Sequence, residues 1–283
     1  MISRTLLSLL AAMALLASGT ETPASGSVFE LNIGDSVRVR TRDGREHAVR
    51  LIGVHERTEP YYESANNKLI DAIVSADVSL NIDGVSQSFT GGPLRMPAHL
   101  VGLAFLLGCT RHWSGGIIKD SLAKDIRLEI QDASLPWVQP DKFIFPIRNY
   151  RWRAVNYQHT YLGVAVNQAR LYYHRGEDMG MIPDLDLSLA MEALQVVSVP
   201  GVTGDGLSNS VTLRDGTGLC FRYAHMNTPH IFADLQPGVE MAQGQPLGLT
   251  GNTWQGSPVR DPHLHVEAHE HDLAGPFRNT FPL

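Results

Sequence analysis

The sequence predicts a mostly β protein: an antiparallel β-sheet unit in the C-terminal half, preceded by a smaller β-rich unit with a helix. Three observations carry this. Stretches of alternating apolar and polar residues recur along the chain, at the period with which strand side chains change face. Asp-Gly steps at 43–44, 83–84 and 215–216 each lie between two such stretches, a hairpin pattern. Pro-Gly and Gly-x-Pro steps at 237–238 and 244–246 mark further turns before a last strand.

In chain order, residues 1–26 read as a cleaved secretory signal. Arg4 supplies positive charge, Leu6 to Ala17 an apolar core, and Ala17, Gly19, Ala24 and Gly26 small residues. The apolar run is too short to span a bilayer, and no Cys follows it to carry a lipid anchor. The mature chain is therefore expected to be exported, periplasmic or extracellular, with no integral membrane span.

Residues 28–135 form the β-rich N-terminal unit. Val37 to Arg42 and Ala48 to Val54 flank Asp43-Gly44, which predicts a type I′ turn. Val78 to Ile82 and Val85 to Phe89 flank Asp83-Gly84 in the same way. Between the hairpins, Leu69, Ile70, Ile73 and Val74 are spaced as on a helix, predicting one over 62–75. The apolar run Leu100 to Leu107 is a buried strand or a core helix. No chemistry stands out here: His47, His55, His99 and His112 lack ligand spacing, and Arg38, Arg40 and Arg42 read as a solvated strand face.

A proline-flanked linker, 136–140, leads to the C-terminal unit, 141–283. Phe143 to Ile147 predicts an edge strand, interrupted by Pro146. Arg151 to Val155 and Thr160 to Val166 predict further strands. Val211 to Arg214 and Leu219 to Tyr223 flank Asp215-Gly216, so the return strand delivers His225.

Composition narrows the function. With 43% hydrophobic residues the chain can bury a core, and a net charge of −6 offers no basic surface for nucleic acid. Two cysteines, Cys109 and Cys220, are too few for a disulfide scaffold and read as independent buried thiols.

The chemistry concentrates in three motifs. Pro262-His263-Leu264-His265-Val266-Glu267 would project both imidazoles from one strand face. His174-Arg175-Gly176-Glu177-Asp178 returns His174 and Asp178 to one side, with Gly176 favouring a bend or bulge. Tyr223-Ala224-His225 adds a third histidine at a strand end. A His, an Asp and a further His are a ligand set that leaves zinc one open position.

In this order the motifs resemble the lysostaphin-type (LytM-like) zinc metallopeptidases, over roughly residues 140 to 275. That resemblance implies an antiparallel peptidase domain with one zinc ion per chain, held by His174, Asp178 and His265. It gives His225 and His263 catalytic roles, and peptides of bacterial peptidoglycan as substrates. Three departures stand out. The loop between Thr253 and Pro262 is longer than the family's and carries Trp254, which bears on the preferred peptide; Met181 to Leu194 lack the family's short Gly-containing link; and Glu177 stands where an aliphatic residue is usual and is expected to point away from His174 and Asp178.

The alternative is a non-catalytic relative that binds wall peptides or activates another hydrolase. A cupin-like site would need a second histidine motif after Glu270, where only residues 271–283 remain. His269, Glu270, His271 and Asp272 read as a solvated polar end, with a second metal site as the alternative. Tyr157, His159, Tyr172 and Tyr173 read as strand packing or as lining of a groove.

Overall fold

The structure is a computed structural model. It describes residues 26–116, 122–148, 150, 158–167, 169–200, 209–254, 257–258, 261–280 and 282. The expected leader, apart from Gly26, and the expected strand over 151–155 lie outside the described residues, as does Tyr157.

Strands dominate the described residues, and all the paired strands run antiparallel. In the N-terminal part, Ser36–Arg40, Glu46–Glu63, Lys68–Ile82 and Val85–Gly91 form a four-stranded meander. A second sheet orders Ser27–Leu31, Ile126–Asp132, Leu103–Thr110 and Ala98–Leu100. Alternate residues of the meander (Val49, Leu51, Val78, Leu80, Ile82) join Leu103, Phe105 and Leu107 in one core. Arg38 and Arg40 stay outside beside Glu46, the solvated face expected of them.

Three local expectations are corrected. The helix expected over 62–75 is a strand hairpin, with Tyr62 opposite Leu69. Its register shifts between Arg57 and Thr58, where Ser75 and Ile73 are their partners and Val74 is extra. That bulge breaks the period of two and buries both Ala72 and Ile73, which imitates helical spacing. The helix of this half is instead Arg111–Gly115, started by the Thr110 side chain accepting from the Trp113 N–H. Asp83 and Gly84 both take positive φ, as a type I′ turn requires, but at 43–44 only Gly44 does. The reversal there spans 41–45, with the Gly44 N–H donating to the Thr41 carbonyl. Within 100–107, Val101 and Gly102 form a turn with positive φ, so Ala98–Leu100 and Leu103–Thr110 pair as separate strands.

In the C-terminal part the largest sheet runs Glu240–Met241, Leu194–Ser198, Val211–Arg214, Cys220–Ala224, His263–His269, Glu177–Gly180, Gln158–His159. Phe277–Arg278 also pairs with His263–His269. One face of this sheet packs a second core around Val196, Leu213, Phe221, Leu264 and Val266. The edge strand expected at 143–147 does not form; Ile147 makes one isolated bridge to Ser188. Pro146 lacks the N–H a ladder needs there, and Phe143 instead packs edge-on against Phe221.

The two parts touch. Tyr161, Leu162 and Phe277 lie in the N-terminal core, and buried Arg278 reaches Glu129 at 2.5 Å. Cys109 and Cys220 are buried thiols with no disulfide between them.

Candidate metal centre

The strand His263–His269 lies between Cys220–Ala224 and Glu177–Gly180 and is buried along its length. Leu264, Val266 and Ala268 face the core, which leaves His263, His265, Glu267 and His269 together on the opposite face. The register sets Asp178 directly across from His265. His174 reaches the same place from the bend before the Glu177–Gly180 strand. Gly176 permits this approach: a Cβ there would stand 2.4 Å from the Val266 carbonyl oxygen and 3.0 Å from the His265 ring. The glycine of the His-x-Gly-x-Asp spacing is thus a close-approach residue.

His225 follows the Cys220–Ala224 strand with φ +67, a conformation non-glycine residues seldom adopt outside special sites. This turns its ring onto His263, with centroids 4.3 Å apart and His265 at 6.1 Å. Gly251 makes room for the turn, since a Cβ there would meet the Asn227 nitrogen at 2.2 Å. The Trp254 ring stands 5.2 Å from His225, with the Arg222 guanidinium 5.4 Å from the indole.

All five residues singled out from the sequence come together. His174 Nε2 is 3.1 Å from Asp178 Oδ2 and 3.1 Å from His265 Nδ1. His265 Nδ1 is 2.7 Å from Asp178 Oδ1, and His263 Nε2 is 3.5 Å from the same oxygen. Two donors on one tetrahedral zinc with bonds of about 2.0–2.1 Å lie about 3.3 Å apart, so this donor set fits an ion.

The charge distribution supports the fit. His265 also places Nε2 3.0 Å from Glu267 Oε2. Burial opposes charge on His265, but the hydrogen bonds and charges of Asp178 and Glu267 prevail and raise its pKa. The site therefore favours a cation at His265 Nδ1, where a metal would displace the proton. Burial would likewise raise Asp178, yet the charge of His174 and hydrogen bonds from His159, His174 and His265 hold it well below the usual carboxylate range. His174 is lowered by burial.

His225 and His263 differ from the others. His225 Nδ1 is 3.3 Å from the Thr253 carbonyl, and His263 Nδ1 is 2.6 Å from the Asp261 carbonyl. A carbonyl only accepts, so each contact places the ring proton on Nδ1 and the lone pair on Nε2. Burial, then the neighbouring His263 and His265, pushes His225 down to about 3, and burial also lowers His263. Both are neutral bases near pH 7.

Several participants were not assigned from the sequence. Glu267, besides orienting His265, meets Arg222 and Arg175 at 2.7 Å each and His269 at 3.2 Å. A carboxylate that fixes a metal-facing histidine is a recurrent support, and its position two residues on from His265 was the available signal. His269 is buried rather than part of a solvated end. His159 stands opposite Asp178, with Nδ1 3.5 Å from Oδ2. His159, His174 and Asp178 by themselves also form a group able to hold a metal. Nothing near His159 in the sequence marks it. Glu177 points away from the site, as expected, its Oε1 accepting from the Thr160 hydroxyl, the Tyr161 N–H and the Thr280 hydroxyl.

A buried histidine–aspartate cluster on an antiparallel sheet defines a candidate metal protein, and the comparisons make the class more specific. Residues 173–275 match the model of Peptidase family M23. No curated protein matches the sequence. Among solved structures, the catalytic domain of lysostaphin from Staphylococcus simulans is 19% identical. That match covers 44% of this chain and 86% of that one, with a TM-score of 0.34. A mutant catalytic domain of the prophage-encoded M23 protein EnpA from Enterococcus faecalis is 22% identical, covering 43% and 86%, with a TM-score of 0.33. Helicobacter pylori Csd3 is 13% identical, covering 98% and 84%, with a TM-score of 0.37.

Proposed function

We propose that this chain is an exported zinc metalloendopeptidase that hydrolyses peptide bonds of bacterial peptidoglycan, with one zinc held by His174, Asp178 and His265. The observation that carries the reading is the 2.7–3.1 Å spacing among these donors, which come from segments about 90 residues apart in sequence. The match of residues 173–275 to a peptidase family supports amide hydrolysis as the chemistry. Zinc bound to two imidazoles and a carboxylate acidifies water and polarises a carbonyl.

The remaining histidines act around that centre. His225 and His263 present Nε2 lone pairs and are kept neutral by burial, so either can take a proton from water at neutral pH. The other helps hold the tetrahedral intermediate that forms on the substrate carbonyl. Trp254, tilted against His225 with ring centroids 5.2 Å apart, walls the adjoining groove and restricts which peptides enter. Glu267 holds His265 so that Nδ1 faces the metal. No helix among the described residues is long and apolar enough to cross a membrane.

The test is elemental analysis of zinc together with release of peptides from purified cell walls. Wild type is expected to carry one zinc and release peptides, His265→Ala to do neither, and His225→Ala to keep zinc while losing turnover. Zinc at full occupancy in a wild type that releases nothing would instead identify a wall-binding module.

A further inference from the structure

The Asp178 carboxylate has two differently occupied sides. Oδ1 faces His265 at 2.7 Å and His263 at 3.5 Å, whereas Oδ2 faces His174 at 3.1 Å and His159 at 3.5 Å. His159 is brought there by backbone pairing: the two-residue strand Gln158–His159 runs along Glu177–Gly180 with His159 opposite Asp178. Its ring stands 5.5 Å from that of His174, and one donor atom each from His159, His174 and Asp178 lie within 4.8 Å of one another. A separation of 3.5 Å is at the long limit for a hydrogen bond. It is close to the ~3.3 Å expected between two donors on one tetrahedral ion.

From this geometry we infer that His159 is a fourth protein donor to the metal, through Nδ1. The inference rests on the zinc site proposed above and adds a ligand to it. Four protein donors fill a tetrahedral shell, whereas hydrolysis requires one position for water. The structure identifies which donor can yield. His159 lies on the edge strand of the sheet and its side chain is 28% exposed, against 4%, 2% and 8% for His174, Asp178 and His265. His159 thus closes the resting site and stands aside when substrate enters, without disturbing the three buried ligands.

The experiment loads wild type, His159→Gln and His159→Cys with Co(II). Affinity is measured by chelator competition and coordination by visible and near-ultraviolet absorption. Glutamine preserves a hydrogen bond to Asp178 but is a poor donor, and cysteine offers a thiolate. The expected results are at least about tenfold weaker binding with an altered d–d spectrum for His159→Gln. His159→Cys should show a new thiolate-to-cobalt charge-transfer band that wild type lacks. Wild-type affinity and spectrum in His159→Gln, or absence of the band in metal-loaded His159→Cys, overturns the fourth ligand while leaving the three-ligand site standing. A wild type that binds no Co(II) overturns both readings. Equal melting temperatures of the metal-free variants confirm that the fold is intact.

Discussion

The strands Leu103–Thr110 and His263–His269 are both buried along their whole length, yet their side chains have different chemistry. The first is apolar from Leu103 to Leu107, and its burial is favourable without partners. The second alternates histidine or glutamate with Leu, Val and Ala, and each polar group would be costly there if it stood alone. Its neighbours supply the compensation: Asp178 and Glu267 for His265, Arg175 and Arg222 for Glu267, carbonyls for His263 and His269. The contrast shows where this fold invests in chemistry. The N-terminal part also buries polar groups, Arg127 and Glu129 on Ile126–Asp132 paired with Glu30 and Arg278, whereas the C-terminal sheet gathers three histidines and a glutamate on one face of a single strand.

The sharpest way to break that contrast is to empty the polar strand. Asp178→Ala is expected to abolish zinc binding and peptide release together, measured by metal content and wall-peptide release. His263→Ala should retain zinc and lose about 10²–10⁴-fold in turnover, the usual weight of a positioned proton-transfer group.

Glu267→Ala tests whether the network carries stability as well as function. It strands Arg222, whose side chain is 1% exposed, and an uncompensated buried charge costs about 3–5 kcal/mol. Denaturant unfolding of the metal-free protein reads this directly. A cost under about 1 kcal/mol would mean that water reaches the network.

The apolar strand should answer to packing alone. Leu107→Ala is expected to destabilise by about 2–5 kcal/mol and leave metal content unchanged. Gly91 packs so closely that an added Cβ would lie 2.4 Å from the Leu107 Cβ, so Gly91→Ala should destabilise the same core.

Much of the site was legible in the sequence because its signals are local. The two-residue period of His263 and His265, the four-residue return from His174 to Asp178 and the Asp215-Gly216 hairpin ahead of His225 depend on short-range geometry alone. Glu267 and His269 continue that period and were readable on the same principle. His159 was not, because its place depends on which strand it pairs with. The misread helix at 62–75 has a related cause. One extra residue at the Val74 bulge shifts the apolar pattern, and only the partner strand reveals the shift. At Asp43-Gly44 and Asp83-Gly84 the same dipeptide takes two turn conformations, so loop length is decided by the strands rather than by the step.

The smallest expected effect sharpens the comparison through pH. Burial lifts Glu177 from an ordinary 4.5 to about 7, against hydrogen bonds from Tyr161, Thr160 and Thr280 that lower it. Between those values the folded chain binds more protons than the unfolded one, so this group costs stability as pH rises from 4.5 to 7. Glu177→Gln keeps an Oε1 for all three donors and removes the titration. It should gain up to about 3 kcal/mol over wild type above pH 7, with no difference below pH 4.5, in urea titrations across that range.

The central claim is that distant segments of the chain meet to hold one divalent ion. Crystals of the zinc-loaded protein, with anomalous scattering recorded at the zinc edge, test it most directly. The account predicts one peak bonded at about 2.0–2.2 Å to His174 Nε2, an Asp178 oxygen and His265 Nδ1. A map without density there, or with zinc at His271 and Asp272 instead, would contradict it.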